Sequence, residues 1–116
     1  MAEIVIRLNP GALLNPDLDL RYEIPDQLAR RSGGVIVDDG YGYEPGTAAL
    51  HLYFRTTNLA LALSEVFAVL EKEVLIGNQL GVGAEVGVCE GPAGQAREFS
   101  IVFPHGASGV ILAVSQ

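Results

Sequence analysis

Tryptophan is absent, and cysteine occurs once, as Cys89. A single thiol excludes an intramolecular disulfide, so the fold must rest on packing, as is usual in a reducing compartment. Cys89 belongs to no Cys-x-x-Cys pair, and its default reading is a buried or idle thiol. Positive charge is scarce: 7 Lys and Arg face 14 Asp and Glu, for a formal charge of −7. Such a field repels phosphate backbones and excludes nucleic acid as the expected ligand, while it favours a basic partner. Long apolar runs are missing too. Leu59 to Leu63 and Val66 to Leu70 are separated by Ser64-Glu65 and stop at Glu71-Lys72-Glu73, short of the ~20 residues a bilayer span needs. The first residues, Met-Ala-Glu-Ile-Val-Ile-Arg-Leu, carry an acid where an export signal carries a basic region. The expected compartment is the cytoplasm.

What is present is apolar content. Hydrophobic residues are 49% and charged residues 18% of 116, a balance that supports one self-sufficient core and a single domain over residues 1–116. Glu3 to Leu8 alternates with period 2 and reads as a strand closed by Asn9-Pro10-Gly11. The segment Asp17 to Ser32 carries two signals. Leu18, Leu20, Tyr22 and Ile24 alternate like a strand, whereas Pro25 to Arg31 reads as a helix with proline in its first turn and Gly33-Gly34 as its C-terminal cap. Val35-Ile36-Val37 begins a second strand, with a turn or bulge at Asp38-Asp39-Gly40, and Ala48 to Arg55 forms a third.

Thr57 or Asn58 caps a helix expected over Leu59 to Glu73, with Leu59, Leu63, Val66 and Leu70 on its core face. Ala84 to Val88 and Glu98 to Phe103 read as a hairpin turning at Gly91-Pro92-Ala93-Gly94, and Val110 to Val114 as a last edge strand, on this chain or on a partner. The order is that of an α+β, ferredoxin-like βαββαβ two-layer sandwich with one or two extra C-terminal strands. It predicts an uncovered sheet face carrying Val5, Arg7, His51, Tyr53, Arg55, Glu85 and Cys89.

The densest polar segment is Asp38-Asp39-Gly40-Tyr41-Gly42-Tyr43-Glu44. Its carboxylates lack the spacing of a calcium loop, and no metal is expected. Exposed tyrosines beside carboxylates suit a protein interface, so Asp38, Asp39, Tyr41, Tyr43 and Glu44 are the expected binding residues. His51, Tyr53 and Arg55 are the candidates for catalysis on the uncovered face. Ser32-Gly33-Gly34 and Gly81-Val82-Gly83 do not form a phosphate loop, and no cofactor is expected.

Arg7 to Leu14 resembles, over eight residues, the strand-to-helix turn of ACT regulatory domains, which implies a βαββαβ order and an amino-acid site there. Asn15-Pro16 departs from that pattern by interrupting the helix that should follow. The leading expectation is an acidic, non-catalytic interaction module, an inhibitor or immunity-type protein for a basic partner. A small enzyme or ligand-binding protein using the uncovered face is the alternative. A homodimer is expected, because Leu61 and Val110 to Val114 exceed what one small core hides.

Overall fold

The computed structural model describes residues 1–75, 77–90 and 98–114. The expected turn at Gly91-Pro92-Ala93-Gly94 lies outside them. In chain order the elements are β1 (Ala2–Leu8), α1 (Leu20–Ser32), β2 (Ile36–Tyr43), β3 (Leu50–Thr56), α2 (Leu59–Lys72), β4 (Val74–Leu75), β5 (Asn78–Gln79), β6 (Ala84–Glu90), β7 (Glu98–Phe103) and β8 (Val110–Leu112). Short 3-10 turns at Pro10–Ala12 and Leu80–Gly83 join β1 to the next loop and β5 to β6.

Six strands form one sheet in the order β2-β3-β1-β6-β7-β8, and β4 and β5 form a separate two-stranded ribbon. Every described pairing is antiparallel. The chain is therefore an α+β protein with a single large antiparallel sheet. Both helices pack on one face of it. Ile4, Ile6 and Leu8 of β1 and Leu52 and Phe54 of β3 meet Leu20, Ile24 and Leu28 of α1 and Val66 and Leu70 of α2 in the main core.

The first helix starts well before Pro25. Leu20, Ile24 and Leu28 recur every four residues and are all buried, so the helical spacing in this segment prevails over the period-2 spacing of Leu18, Leu20, Tyr22 and Ile24. Pro25 lies inside the helix near its N-terminal end, and Gly33, at φ 62°, closes it in the left-handed conformation. The second helix begins where expected, with Asn58 Oδ1 accepting the Leu61 N–H at 3.1 Å. Its buried stripe is Ala62, Val66, Val69 and Leu70. Leu59 and Leu63 are only partly buried against the core, because the sheet meets the helix on the side of Ala62 and Val69.

Asp38-Asp39-Gly40 forms a bulge within a continuous β2, seen as a register shift between Asp38 and Tyr41. After β1 the chain makes its 3-10 turn and no helix until Leu20.

The second face of the sheet differs from expectation. The register does align Arg7 with His51 and Glu85, Val5 with Tyr53 and Gly87, and Glu3 with Arg55 and Cys89. The face is not uncovered, however. Val5, Tyr53, Phe99 and Ile111 form a second small core, with Cys89, Ile101, Ala113 and Val114 packed against it. Ile111, Ala113 and Val114 of the C-terminal segment turn inward and close over β1 and β3, while Val110 and Leu112 stay exposed. Gly87 makes the closure possible: a Cβ there would lie 2.6 Å from Phe99 Cβ and 3.2 Å from Val5 Cγ1.

Candidate functional site

Two constellations stand out, one on each side of the sheet. On the second face, the row Gly42, His51, Arg7 and Glu85 crosses four neighbouring strands. Gly42 offers no side chain to this row, and Glu44, two residues further along the same face, reaches in. The loop between β2 and β3 aims it. Glu44 N–H donates to Ala49 O at 2.9 Å and Ala48 N–H to Glu44 O at 3.3 Å, while Thr47 Oγ1 donates to Glu44 Oε1 at 2.8 Å.

Arg7 then clamps the carboxylate, with Nε 2.5 Å from Oε2 and Nη2 3.0 Å from Oε1, and turns Nη1 to Glu85 Oε1 at 3.0 Å. The Arg7 guanidinium, with help from His51 and Thr47 and against the cost of burial, lowers the Glu44 carboxyl from 4.5 to about 2. Glu44 is thus an anion at neutral pH.

His51 is fully buried. Its Nε2 lies 2.5 Å from Glu44 Oε2 and its Nδ1 lies 2.9 Å from the Tyr53 hydroxyl. That hydroxyl accepts the Val114 N–H at 2.9 Å. One proton arrangement satisfies the whole chain: Nε2–H donates to the carboxylate, and Nδ1 accepts from the phenol. Burial raises the Tyr53 pKa, which keeps the phenol a donor. Both ring nitrogens of His51 and the Tyr53 hydroxyl are used inside the protein. Arg55 is not part of this group: its Nε lies 3.4 Å from Asp39 Oδ1, an ion-pair distance without hydrogen-bond alignment. An open cleft of about 440 Å³ lies beside the network, bordered by Arg7, Glu44, Glu85 and Val110 to Val114.

On the other side, the pleat after the bulge sets Tyr41 opposite Leu52 and Tyr43 opposite Leu50, so both rings lie at the sheet edge next to α1. Their centroids are 6.0 Å apart, edge to face. The Arg21 guanidinium sits 4.7 Å from the Tyr22 ring and 5.4 Å from the Tyr41 ring. The Tyr43 and Tyr22 phenols hold its pKa above the ordinary value. Tyr22, Tyr41 and Tyr43 are all exposed. Next to them an apolar pocket of about 200 Å³ opens between Leu8, Leu13, Pro16, Leu18, Tyr43 and Leu50.

The five expected binding residues are divided between the two sides. Tyr41 and Tyr43 join the aromatic cluster. Asp38 is exposed and caps its own turn, accepting the Gly40 N–H at 3.0 Å, and Asp39 pairs with Arg55. Glu44 belongs to the network on the second face. Arg21, Tyr22 and Leu18 were not singled out from sequence. The spacing of Leu18 and Tyr22, four apart on a face that omits Leu20 and Ile24, is the signal that points to them. Comparison of the chain with protein-family models, with curated proteins and with solved structures finds no match.

Proposed function

We propose that the chain is a non-catalytic protein-interaction module that binds a basic partner through the edge of β2 and the start of α1, in an inhibitor or immunity-type role. Its scaffold reads as a ferredoxin-like sandwich with two C-terminal strands added. In support, β1, α1, β2, β3, α2 and β6 occur in the split βαβ order, with the β4–β5 ribbon inserted between α2 and β6, and both helices pack on one sheet face.

The observation that carries the reading is the exposed cluster of Arg21, Tyr22, Tyr41 and Tyr43. Tyrosine and arginine are the residue types in which binding energy concentrates. Around them Asp17, Asp19, Glu23 and Asp38 make no ion pair among the described residues, which leaves negative charge for a cationic partner. The buried network speaks for a structural role, since both ring nitrogens of His51 are occupied and neither is presented to a substrate. The alternative, a small ligand-binding or catalytic protein, has the cleft beside Arg7 and Glu85 in its favour.

Affinity capture from the native lysate tests the choice. The wild-type chain should retain a basic protein that Tyr22→Ala and Tyr41→Ala lose while remaining folded. Retention by both variants overturns the assignment of the site.

We also propose that the chain pairs with itself. The exposed apolar side chains of β8 support that reading, and Leu61 on α2 is a second exposed leucine.

A further inference from the structure

The apolar pocket beside Tyr43 adds a feature that the aromatic cluster alone does not require. Its walls come from β1, the loop after it, the approach to α1 and the start of β3, and Asp17 is the only charged residue lining it among those described. A volume of about 200 Å³ is below the ~300 Å³ at which pockets begin to enclose drug-sized ligands. It is above the ~150 Å³ that suffices for a benzene-sized guest. One side chain fits.

The walls are fixed in advance. Asn78, buried in β5, accepts the Asn15 N–H at 2.7 Å and donates from Nδ2 to Asn15 O at 2.6 Å, so both polar groups of that backbone unit are tied down. Asn9 N–H donates to Gly83 O at 2.8 Å, and Pro10 and Pro16 restrict the chain between them. A pocket held this way loses little freedom when filled.

The mouth is acidic. Asp17 Oδ1 accepts the Asp19 N–H at 2.8 Å, and Asp17 makes no ion pair among the described residues. Leu18, on the rim, is 62% exposed, an apolar surface that contact with a guest would cover.

Resting on the interaction reading above, we infer that this pocket is the anchor site for one aliphatic or aromatic side chain of the partner, carried on a segment whose neighbouring lysine or arginine pairs with Asp17. The anchor supplies apolar burial and the carboxylate supplies selection of sign. An acidic segment with the same apolar residue is rejected by Asp17 and by Asp19 beside it.

The test uses methyl NMR of the full chain with three capped tripeptides, Lys-Leu-Lys, Lys-Ala-Lys and Glu-Leu-Glu. Lys-Leu-Lys should shift the methyls of Leu8, Leu13, Leu18 and Leu50 with a dissociation constant in the millimolar range, and about fivefold or more tighter than either control. Asp17→Asn, which keeps the turn to Asp19, should lose most of the preference over Glu-Leu-Glu. Absence of methyl shifts at about 10 mM Lys-Leu-Lys overturns the inference, as does equal binding of Glu-Leu-Glu. If the methyls stay still while Tyr41→Ala still abolishes capture of the cellular partner, the pocket falls and the interaction reading stands. If the tripeptide binds as described but no cellular protein is captured, the pocket stands and the interaction reading falls.

Discussion

The Tyr53 hydroxyl accepts the backbone N–H of Val114 at 2.9 Å, and so fastens the C-terminal segment onto the sheet face from which Tyr53 projects. The same oxygen faces His51 Nδ1 at 2.9 Å. One phenol therefore links the strap, the buried imidazole and, through it, Glu44. Tyr53→Phe keeps the ring in the second core but leaves Val114 N–H and His51 Nδ1 without their partner. A loss of roughly 1–3 kcal/mol is expected, the cost of unpaired buried polar groups. Hydrogen exchange at the Val114 amide should accelerate by more than the global destabilisation accounts for. An unchanged exchange rate means that the strap is held by Ile111 and its neighbours alone.

Stability should fall in acid through Glu44. Its folded-state pKa of about 2 lies below the ordinary 4.5. The contribution is therefore complete above pH ~4.5 and is lost as pH falls towards ~2, with a size on the order of 3 kcal/mol. In Glu44→Gln the carboxylate is gone at every pH. Urea denaturation should show the wild type more stable than the variant by a constant margin at neutral pH, and a margin that shrinks between pH ~4.5 and ~2. Parallel pH profiles would contradict the role given to Arg7.

Gly87→Ala probes the closure of the second face. The new methyl has no room against Phe99 and Val5, and Ile111 Cδ1 stands at 3.4 Å. Overpacking of this kind costs roughly 1–3 kcal/mol. Near-ultraviolet circular dichroism should report displacement of the β7–β8 edge before the main core opens, since the main core lies on the opposite face.

Ala48, at φ 60°, is the one non-glycine residue with positive φ among those described. An L-residue with a Cβ is strained there by ~1–2 kcal/mol, part of which glycine returns as flexibility in the unfolded chain. Ala48→Gly should be neutral or stabilising by up to ~1 kcal/mol, read as a rise in melting temperature. A clear loss of stability would show that the methyl, which lines the apolar pocket, packs more than it strains.

The elements that a single period dictates were legible in the sequence. Glu3 to Leu8 has one alternation, and Asn58 before an apolar helical stripe has one meaning. Asp17 to Ile24 was ambiguous because Leu20 and Ile24 satisfy periods of both two and four, and only burial against β1 selects the helix. The shared face of Arg7, His51, Tyr53 and Glu85 followed from alternation alone. Its burial did not, because nothing local to Val110–Val114 says which surface it covers. Glu44 was grouped with its sequence neighbours. Alternation from Gly42 already sets Glu44 on the opposite side of the sheet from Tyr41 and Tyr43; what the sequence does not carry is the loop through Thr47 and Ala49 that aims its carboxylate at Arg7 and His51.

The two edges of the large sheet are unlike. β2 carries a bulge and the charged Asp38 and Asp39, features that discourage strand pairing between molecules. β8 has neither: its residues are Val110, Ile111 and Leu112, and Val110 and Leu112 are 55% and 60% exposed. An unprotected apolar edge is a template for another strand, and a second copy offers the same edge, which two-fold symmetry pairs antiparallel. Sedimentation or light scattering should find a dimer at micromolar concentration. The double variant Val110→Lys and Leu112→Lys should be monomeric with an unchanged melting transition, because both side chains point away from the second core that holds Ile111. A wild-type monomer across the concentration range refutes self-pairing. A dimer that survives the two lysines moves the interface away from β8, with the exposed Leu61 on α2 the next position to test.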